Sequence, residues 1–362
     1  MTVRTEASLD PATRVAAARE EFAPDVVYLN SASLGLPPRR TLAALERTLD
    51  EWRRGTVEAP GFDTVVEASR RDYARLVGVD PSWVAVGSQV SAFVGMVAAS
   101  LPAGSEVLTS TGDFTSVVFP FLARSGQGVQ VREVPLEGLP DAVTAATSLV
   151  AVSAVQSADG RIADLDALVE ACETTGTRTL VDTTQAVGWL PVDPRRFSYT
   201  VDAGYKWLLA PRGTAFFTVG PAHRDALHPV HANWYAGEDR WASLYGSPLR
   251  LAEDARRFDL SPAWQAWVGQ AASLEFLLEV GTEALHSHAT ALAHRFCDAV
   301  GLPWHGSAIV SAATDDAVPE LLRRAAIAAA TRAGRLRLSF HVCNGEDDVD
   351  RAAQVLRGHV HA

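Results

Sequence analysis

Between about residues 83 and 219, apolar runs of strand length alternate with amphipathic stretches. A chain patterned this way builds βαβ units: each apolar run is buried on both faces of a mainly parallel sheet, and each amphipathic stretch covers that sheet as a helix. Seven strands are predicted, at 83–87, 106–110, 129–134, 149–155, 179–182, 199–202 and 214–219, with helices between them at 90–100, 115–124 and 164–175. The last of these helices has an acidic first turn and Gly176 in place to stop it. After Pro221 the pattern changes. A Trp- and Tyr-rich irregular stretch from His228 to Pro248 leads to helices near 263–280 and 282–300, and the chain closes with a strand at 335–341 and a helix at 346–356. The fold class expected is α/β, with a large domain at 25–262 and a smaller α+β domain from 1–24 and 263–362.

Composition narrows the partners. With 48% hydrophobic residues the chain can bury a large core, and 43 acidic against 32 basic residues leave a net charge of −11 with no basic stripe. That balance argues against nucleic acid or anionic lipid and for a small-molecule ligand. The N-terminus lacks the apolar core of a signal peptide and no run approaches the ~20 apolar residues that span a bilayer, so a cytoplasmic enzyme is expected. Cys172, Cys297 and Cys343 are scattered with no C-x-x-C spacing, and His286 and His288, two apart on a predicted helix, face different ways, so no metal site is expected.

In open α/β sheets the ligand sits beyond the carboxyl ends of the strands, which directs attention to Asp182 and to the turn around residue 206. Lys206 is the single lysine among 32 Lys and Arg residues. Where a plain cation would serve, this chain uses arginine. A primary amine can condense with an aldehyde and exchange a proton once its pKa is lowered, and a guanidinium cannot.

The runs Val181-Asp182-Thr183-Thr184-Gln185 and Asp202-Ala203-Gly204-Tyr205-Lys206-Trp207, continuing to Pro211-Arg212-Gly213, resemble the class V aminotransferases, pyridoxal-phosphate (PLP) enzymes of fold type I. Cysteine desulfurases, kynureninase and isopenicillin N epimerase belong to that group, and the resemblance covers almost the whole chain. It implies that Lys206 forms the Schiff base with the cofactor and that Asp182 keeps the cofactor's pyridine nitrogen protonated, so that the ring serves as an electron sink. It also implies that Gln185 hydrogen-bonds the phenolic oxygen and that Phe114 stacks on the ring. For the phosphate it implies the helix start at Ser88, Gln89 and Val90, together with Tyr205. Ser261 matches a residue that reaches the phosphate of a neighbouring subunit, so a homodimer with its active site at the interface is implied. Arg335-Leu336-Arg337-Leu338-Ser339, followed by Asn344, resembles the segment whose arginine binds a substrate α-carboxylate through a bidentate fork. Arg337 is the match, and Arg335, which shares its strand parity, is the rival.

Three departures bear on function. Ala203 stands where a serine is frequent, Ser157 where many relatives carry Asn, and residues 305–337 contain no cysteine, so the mobile nucleophile of a desulfurase is missing. The reading is a PLP-dependent enzyme acting on a small amino acid or a similar metabolite. Transamination comes first, then a C–S or other β-elimination or an epimerisation, and a non-catalytic PLP-binding protein is the reading from another class.

Overall fold

The computed structural model describes residues 10–362; the first nine, on which the absence of a leader was read and with which the smaller unit was taken to begin, lie outside the described residues. Seven strands form the central sheet in the order Val84–Gly87, Ala215–Val219, Tyr199–Ala203, Arg178–Asp182, Thr147–Ser153, Glu106–Ser110 and Gln130–Val134. Ala215–Val219 runs antiparallel to both neighbours, and all other pairs are parallel.

The apolar runs predicted as strands are strands because they are covered on both sides. Ala85, Val107, Leu149 and Ala151 pack with residues of the helices Val90–Ala99 and Thr115–Leu122. Their chain neighbours Val84 and Val86 join Phe216 against the helices Gly61–Val77 and Trp264–Val280. Leu108, Val150 and Val152 lie with Leu168 and Cys172 of the helix Leu165–Thr175. Side chains alternate between faces along a strand, so burial of both faces demands an unbroken apolar run. Each such Val or Leu stabilises the sheet by about 1.5–3 kcal/mol relative to exposure.

The closing unit is a four-stranded antiparallel sheet ordered Ala330–Arg332, Arg335–Ser339, Ile309–Thr314 and Val360–His361. Val27–Tyr28, which the sequence places in the larger unit, pairs in parallel with Ile327–Ala328, and Asn30 bridges to Ser339. The segment that follows, Ser31 to Gly35, is thereby carried from the small sheet to the lysine turn, where the Gly35 amide donates to the Tyr205 carbonyl at 2.9 Å. A Cβ on Gly35 would stand 2.0 Å from the Lys206 carbonyl oxygen, so only glycine permits this approach. Among the described residues no helix is long and apolar enough to cross a membrane.

Candidate active site

Three carboxyl-terminal strand edges and one helix start enclose a cavity of about 300 Å³, lined by Ser88, Gln89, Val90, Phe114, Asp182, Tyr205 and Lys206 among others. Seven of the residues singled out in the sequence thus meet at one place, where strand ends of an open sheet put a ligand.

Lys206 is supplied by the turn after Tyr199–Ala203. That turn is tight: the Ala210 amide returns to the Gly204 carbonyl at 3.0 Å, and Leu209 takes a left-handed conformation with φ 56°. Such a conformation costs on the order of 1 kcal/mol or more in a residue with a Cβ and persists only when the surroundings over-determine it. Here Leu209 is fully buried and its carbonyl accepts from Ser273 Oγ at 3.0 Å. The Lys206 side chain is 5% exposed, with Nζ 5.2 Å from the Phe114 ring centre and 5.7 Å from that of Tyr205. Burial pushes its amine down to about 8, with Asp182 opposing the shift and Arg337 adding to it. An amine that titrates there is half neutral at about pH 8 and keeps a substantial neutral fraction, the state that attacks a carbonyl, at physiological pH.

Asp182 ends its strand with the carboxylate 4% exposed, and one oxygen accepts from the Thr184 amide at 2.8 Å. Burial raises its pKa, while the Thr184 hydrogen bonds and the Lys206 charge oppose that rise. A protonated ring nitrogen is the kind of cation that such a carboxylate takes. Phe114 owes its position to Asp113, a residue the sequence reading passed over. Asp113 is buried and accepts from Ser110 Oγ at 2.9 Å, from the Phe114 amide at 2.6 Å, from the Ser153 amide at 2.9 Å and from Gln156 Nε2 at 3.1 Å. This clamp ties the loop carrying Phe114 to the next strand.

Also in the lining, Gln89 occupies the N-cap of the helix Val90–Ala99 and makes no side-chain capping bond. The first amides of that helix are left for an anion, which the helix dipole also favours. Ser91, Ser116, Thr184 and Arg212 complete the lining, and the Arg212 guanidinium lies 5.1 Å from the Tyr205 ring centre. The sequence quoted Arg212 within the lysine motif but gave it no task.

Gln185, Ser261 and Arg337 do not line this cavity. The Gln185 amide is already committed: Nε2 donates to the Ala32 carbonyl at 2.9 Å and to Ser157 Oγ at 3.1 Å, and Oε1 accepts from Trp207 Nε1 at 2.7 Å. The donor that the resemblance assigns to a cofactor oxygen is spent on protein acceptors in this arrangement. Ser261 is exposed at the surface. Arg337 is 1% exposed; it donates to Ser33 Oγ at 2.6 Å and to the Ser157 carbonyl. Its rival Arg335 is half-buried and donates to Ser311 Oγ at 3.2 Å. His286 and His288 face the carbonyls of Trp189 and Asn344. The three cysteines are buried free thiols. The aromatic stretch packs on itself and on the helix Gly61–Val77, with Trp234 5.3 Å from Trp241 and Trp241 Nε1 donating to Asp63 at 2.8 Å.

The family pattern described as Aminotransferase class-V matches residues 27–301. The chain belongs to the class V aminotransferases. Its cofactor is pyridoxal phosphate, and the lining suits that group: an amine of lowered pKa, a buried carboxylate and an uncapped helix start share one cavity. The chain is similar to isopenicillin N epimerase of Streptomyces clavuligerus, 31% identical over 73% of this chain and 72% of that one. It is also similar to a probable cysteine desulfurase of Aeropyrum pernix, 30% identical over 73% and 69%. Among solved structures, the cystine C-S lyase C-DES in complex with cysteine persulfide superposes with a TM-score of 0.83 at 20% identity, covering 92% of this chain and 98% of that one. At that identity the likeness speaks for the fold, as does the one to the cysteine desulfurase CsdA of Escherichia coli, with a TM-score of 0.81, 20% identity and 96% and 98% covered.

Proposed function

We propose that this class V enzyme is an aminotransferase acting on a small amino acid or a similar metabolite, with Lys206 holding the cofactor covalently through Nζ. When bound, PLP supplies an electron sink that makes the substrate's Cα proton removable. Asp182 keeps the ring nitrogen protonated, the amides at Ser88 to Ser91 hold the phosphate, and Phe114 covers the ring without offering a proton. Nζ of Lys206, once free, would take the substrate's Cα proton and carry it.

The observation that supports transfer of the amino group is the poverty of the cavity in acids and bases. Among the described residues its lining contains no histidine, cysteine or glutamate, Asp182 is reserved for the ring nitrogen, and burial raises the pKa of the Tyr205 hydroxyl, which leaves Lys206 as the base that moves protons. A single base suits moving one proton, on one face, between the two carbons that flank the linking nitrogen; inversion with a second base, or expulsion of a poor leaving group with a separate acid, asks for another group. Epimerisation, the activity in the epimerase relative's name, would need a second donor on the face of Cα opposite Lys206. The lyase chemistry named in C-DES requires a substrate with its own good leaving group. Incubation of the holoenzyme with a panel of amino acids, following keto-acid, ammonia and sulfide release and exchange of the Cα proton, separates the three. Keto acid formed in proportion to the aminated cofactor supports transamination. Stoichiometric ammonia or sulfide without aminated cofactor overturns it in favour of elimination, and Cα exchange with no keto acid overturns it in favour of epimerisation.

A further inference from the structure

Arg332 and Arg337 converge on one hydroxyl. Arg337 donates to Ser33 Oγ at 2.6 Å and Arg332 donates to the same oxygen at 3.0 Å. The hairpin that creates this arrangement is read from the chain: Ala333 and Gly334 have φ of 48° and 76°, a two-residue turn that sets Arg332 directly opposite Arg335. Opposed residues of an antiparallel pair share a face, as do residues two apart on one strand. Arg332, Arg335 and Arg337 therefore stand on one side of the small sheet, the side away from Leu336 and Leu338, which lie in the small unit's core.

The other partners of the converging pair deepen the imbalance. Arg337 has the Ser157 carbonyl and Ser157 Oγ; Arg332 has the Thr331 carbonyl. Among the described residues, every acceptor these two guanidiniums find is a hydroxyl or a carbonyl, none a carboxylate. Elsewhere the chain pairs its buried guanidinium, with Arg70 meeting Asp259 at 2.7 Å. A buried charge is ordinarily paired. Arg337, 1% exposed, is left without an anion, and burial together with the neighbouring Arg332 charge pushes it down to about 10. Both charges are near enough to Lys206 to lower its amine. One carboxylate fits one guanidinium fork and would neutralise the buried Arg337, while Arg332, exposed at the surface, keeps a solvated charge beside it that a second acid can take.

We propose that Arg332 is a second anion-anchoring residue, and that the substrate is an amino acid with an acidic side chain, its α-carboxylate on Arg337 and its distal acid on Arg332. The inference rests on the PLP reading above. Ser33 orients both forks, and substrates lacking the second acid leave Arg332 without a counter-charge.

The test compares L-aspartate and L-glutamate with L-alanine and L-norvaline on the holoenzyme, in the natural protein and in Arg332→Gln, which keeps a donor for Ser33 and removes the charge. The ratio of kcat/KM for the better acidic substrate to that for the better neutral one should exceed unity by at least about tenfold, and should fall by roughly ten- to hundredfold in Arg332→Gln, the scale of one charge-assisted contact. Calorimetric titration with succinate and with butyrate gives a readout free of turnover, and succinate should bind more tightly by a similar factor that Arg332→Gln removes. Equal handling of acidic and neutral substrates, or a loss in Arg332→Gln that is the same for both, overturns the assignment. Failure of the PLP reading looks different: the protein would then carry no cofactor absorbance, and borohydride would fix nothing on Lys206.

Discussion

At residue scale the chemistry depends on where Lys206 titrates. An ordinary lysine near 10.5 is almost wholly protonated at neutral pH, whereas burial brings this one to about 8. Covalent capture of PLP by the cofactor-free protein needs the neutral amine, so its rate should rise with pH and level off above about 8 in stopped-flow absorbance. A rate that climbs steadily to pH 10 contradicts the lowered value. Lys206→Arg should be as inactive as Lys206→Ala. With no other lysine in the sequence, borohydride should fix the pyridoxyl group at this side chain alone, apart from any reaction at the N-terminal amine. The two strand arginines separate by burial. Arg337→Lys keeps charge and loses the fork, so a carboxylate substrate should bind more weakly by roughly 1.5–3 kcal/mol. Arg335→Lys, half-buried and bonded to Ser311, should cost no more than about 1 kcal/mol. Greater damage at Arg335 would transfer the carboxylate site to it.

At the scale of elements, what makes the site rigid was the least legible part. The strand and helix positions followed from apolar periodicity, and Glu106–Ser110, Thr282–Val300 and Glu346–Leu356 fall where the sequence puts them. Lys206 and Asp182 were visible because a lone amine and a strand-ending carboxylate carry their own chemistry. Asp113, Asp259 and Arg332 were not, since their significance lies in partners 40 to 299 positions away, which no local pattern encodes. The long-range ties can be tested individually. Asp259 takes Arg70 at 2.7 Å and the Val86 amide at 2.9 Å, holding the helix Gly61–Val77 to the strand that delivers the phosphate loop. Asp259→Ala leaves the buried Arg70 with Glu67, at 3.2 Å, as its remaining anion and the Val86 amide without its acceptor, and should destabilise the protein by about 1–3 kcal/mol in urea unfolding; a loss under about 0.5 kcal/mol would show that Glu67 and solvent replace Asp259 fully. His341 is the second tie. It stacks on Trp207, its Nδ1 accepts from the Val342 amide at 2.6 Å, and its Nε2–H therefore donates to the Trp207 carbonyl at 2.9 Å. Burial pushes its pKa from 6.5 to about 4. The unfolded chain therefore binds the extra proton first. Its contribution is complete above about 6.5 and is lost as pH falls towards 4, at up to about 1.4 kcal/mol per pH unit. His341→Gln should flatten that part of the stability profile, and an unchanged slope would remove His341 as its source.

At the scale of the whole molecule, the surface carries apolar area that the fold does not cover. On the helix Arg39–Arg53, Leu42, Leu49 and Trp52 are 46%, 52% and 61% exposed and lie along one stripe, because spacings of seven and three return to nearly the same side of a helix. Leu34, 50% exposed, follows the Ser31–Ser33 segment that meets Arg337, and Phe114 at the cavity is itself 43% exposed. Exposed apolar side chains of this kind are what a second subunit would cover, and the family resemblance implies an active site at such an interface, with Ser261 reaching across it. The expected particle in light scattering is a homodimer, twice the 38.7 kDa chain. Trp52→Asp puts a charge into the stripe and should shift the mass to that of one chain at micromolar concentration, while circular dichroism stays that of the folded protein. If the lining is completed by the partner, the same variant should hold PLP at least about tenfold more weakly, a loss of about 1.4 kcal/mol. A dimer that survives Trp52→Asp moves the interface to another face. A monomer that binds PLP as tightly as the natural protein shows that one chain builds the cofactor site alone, and Ser261 then has no part in it.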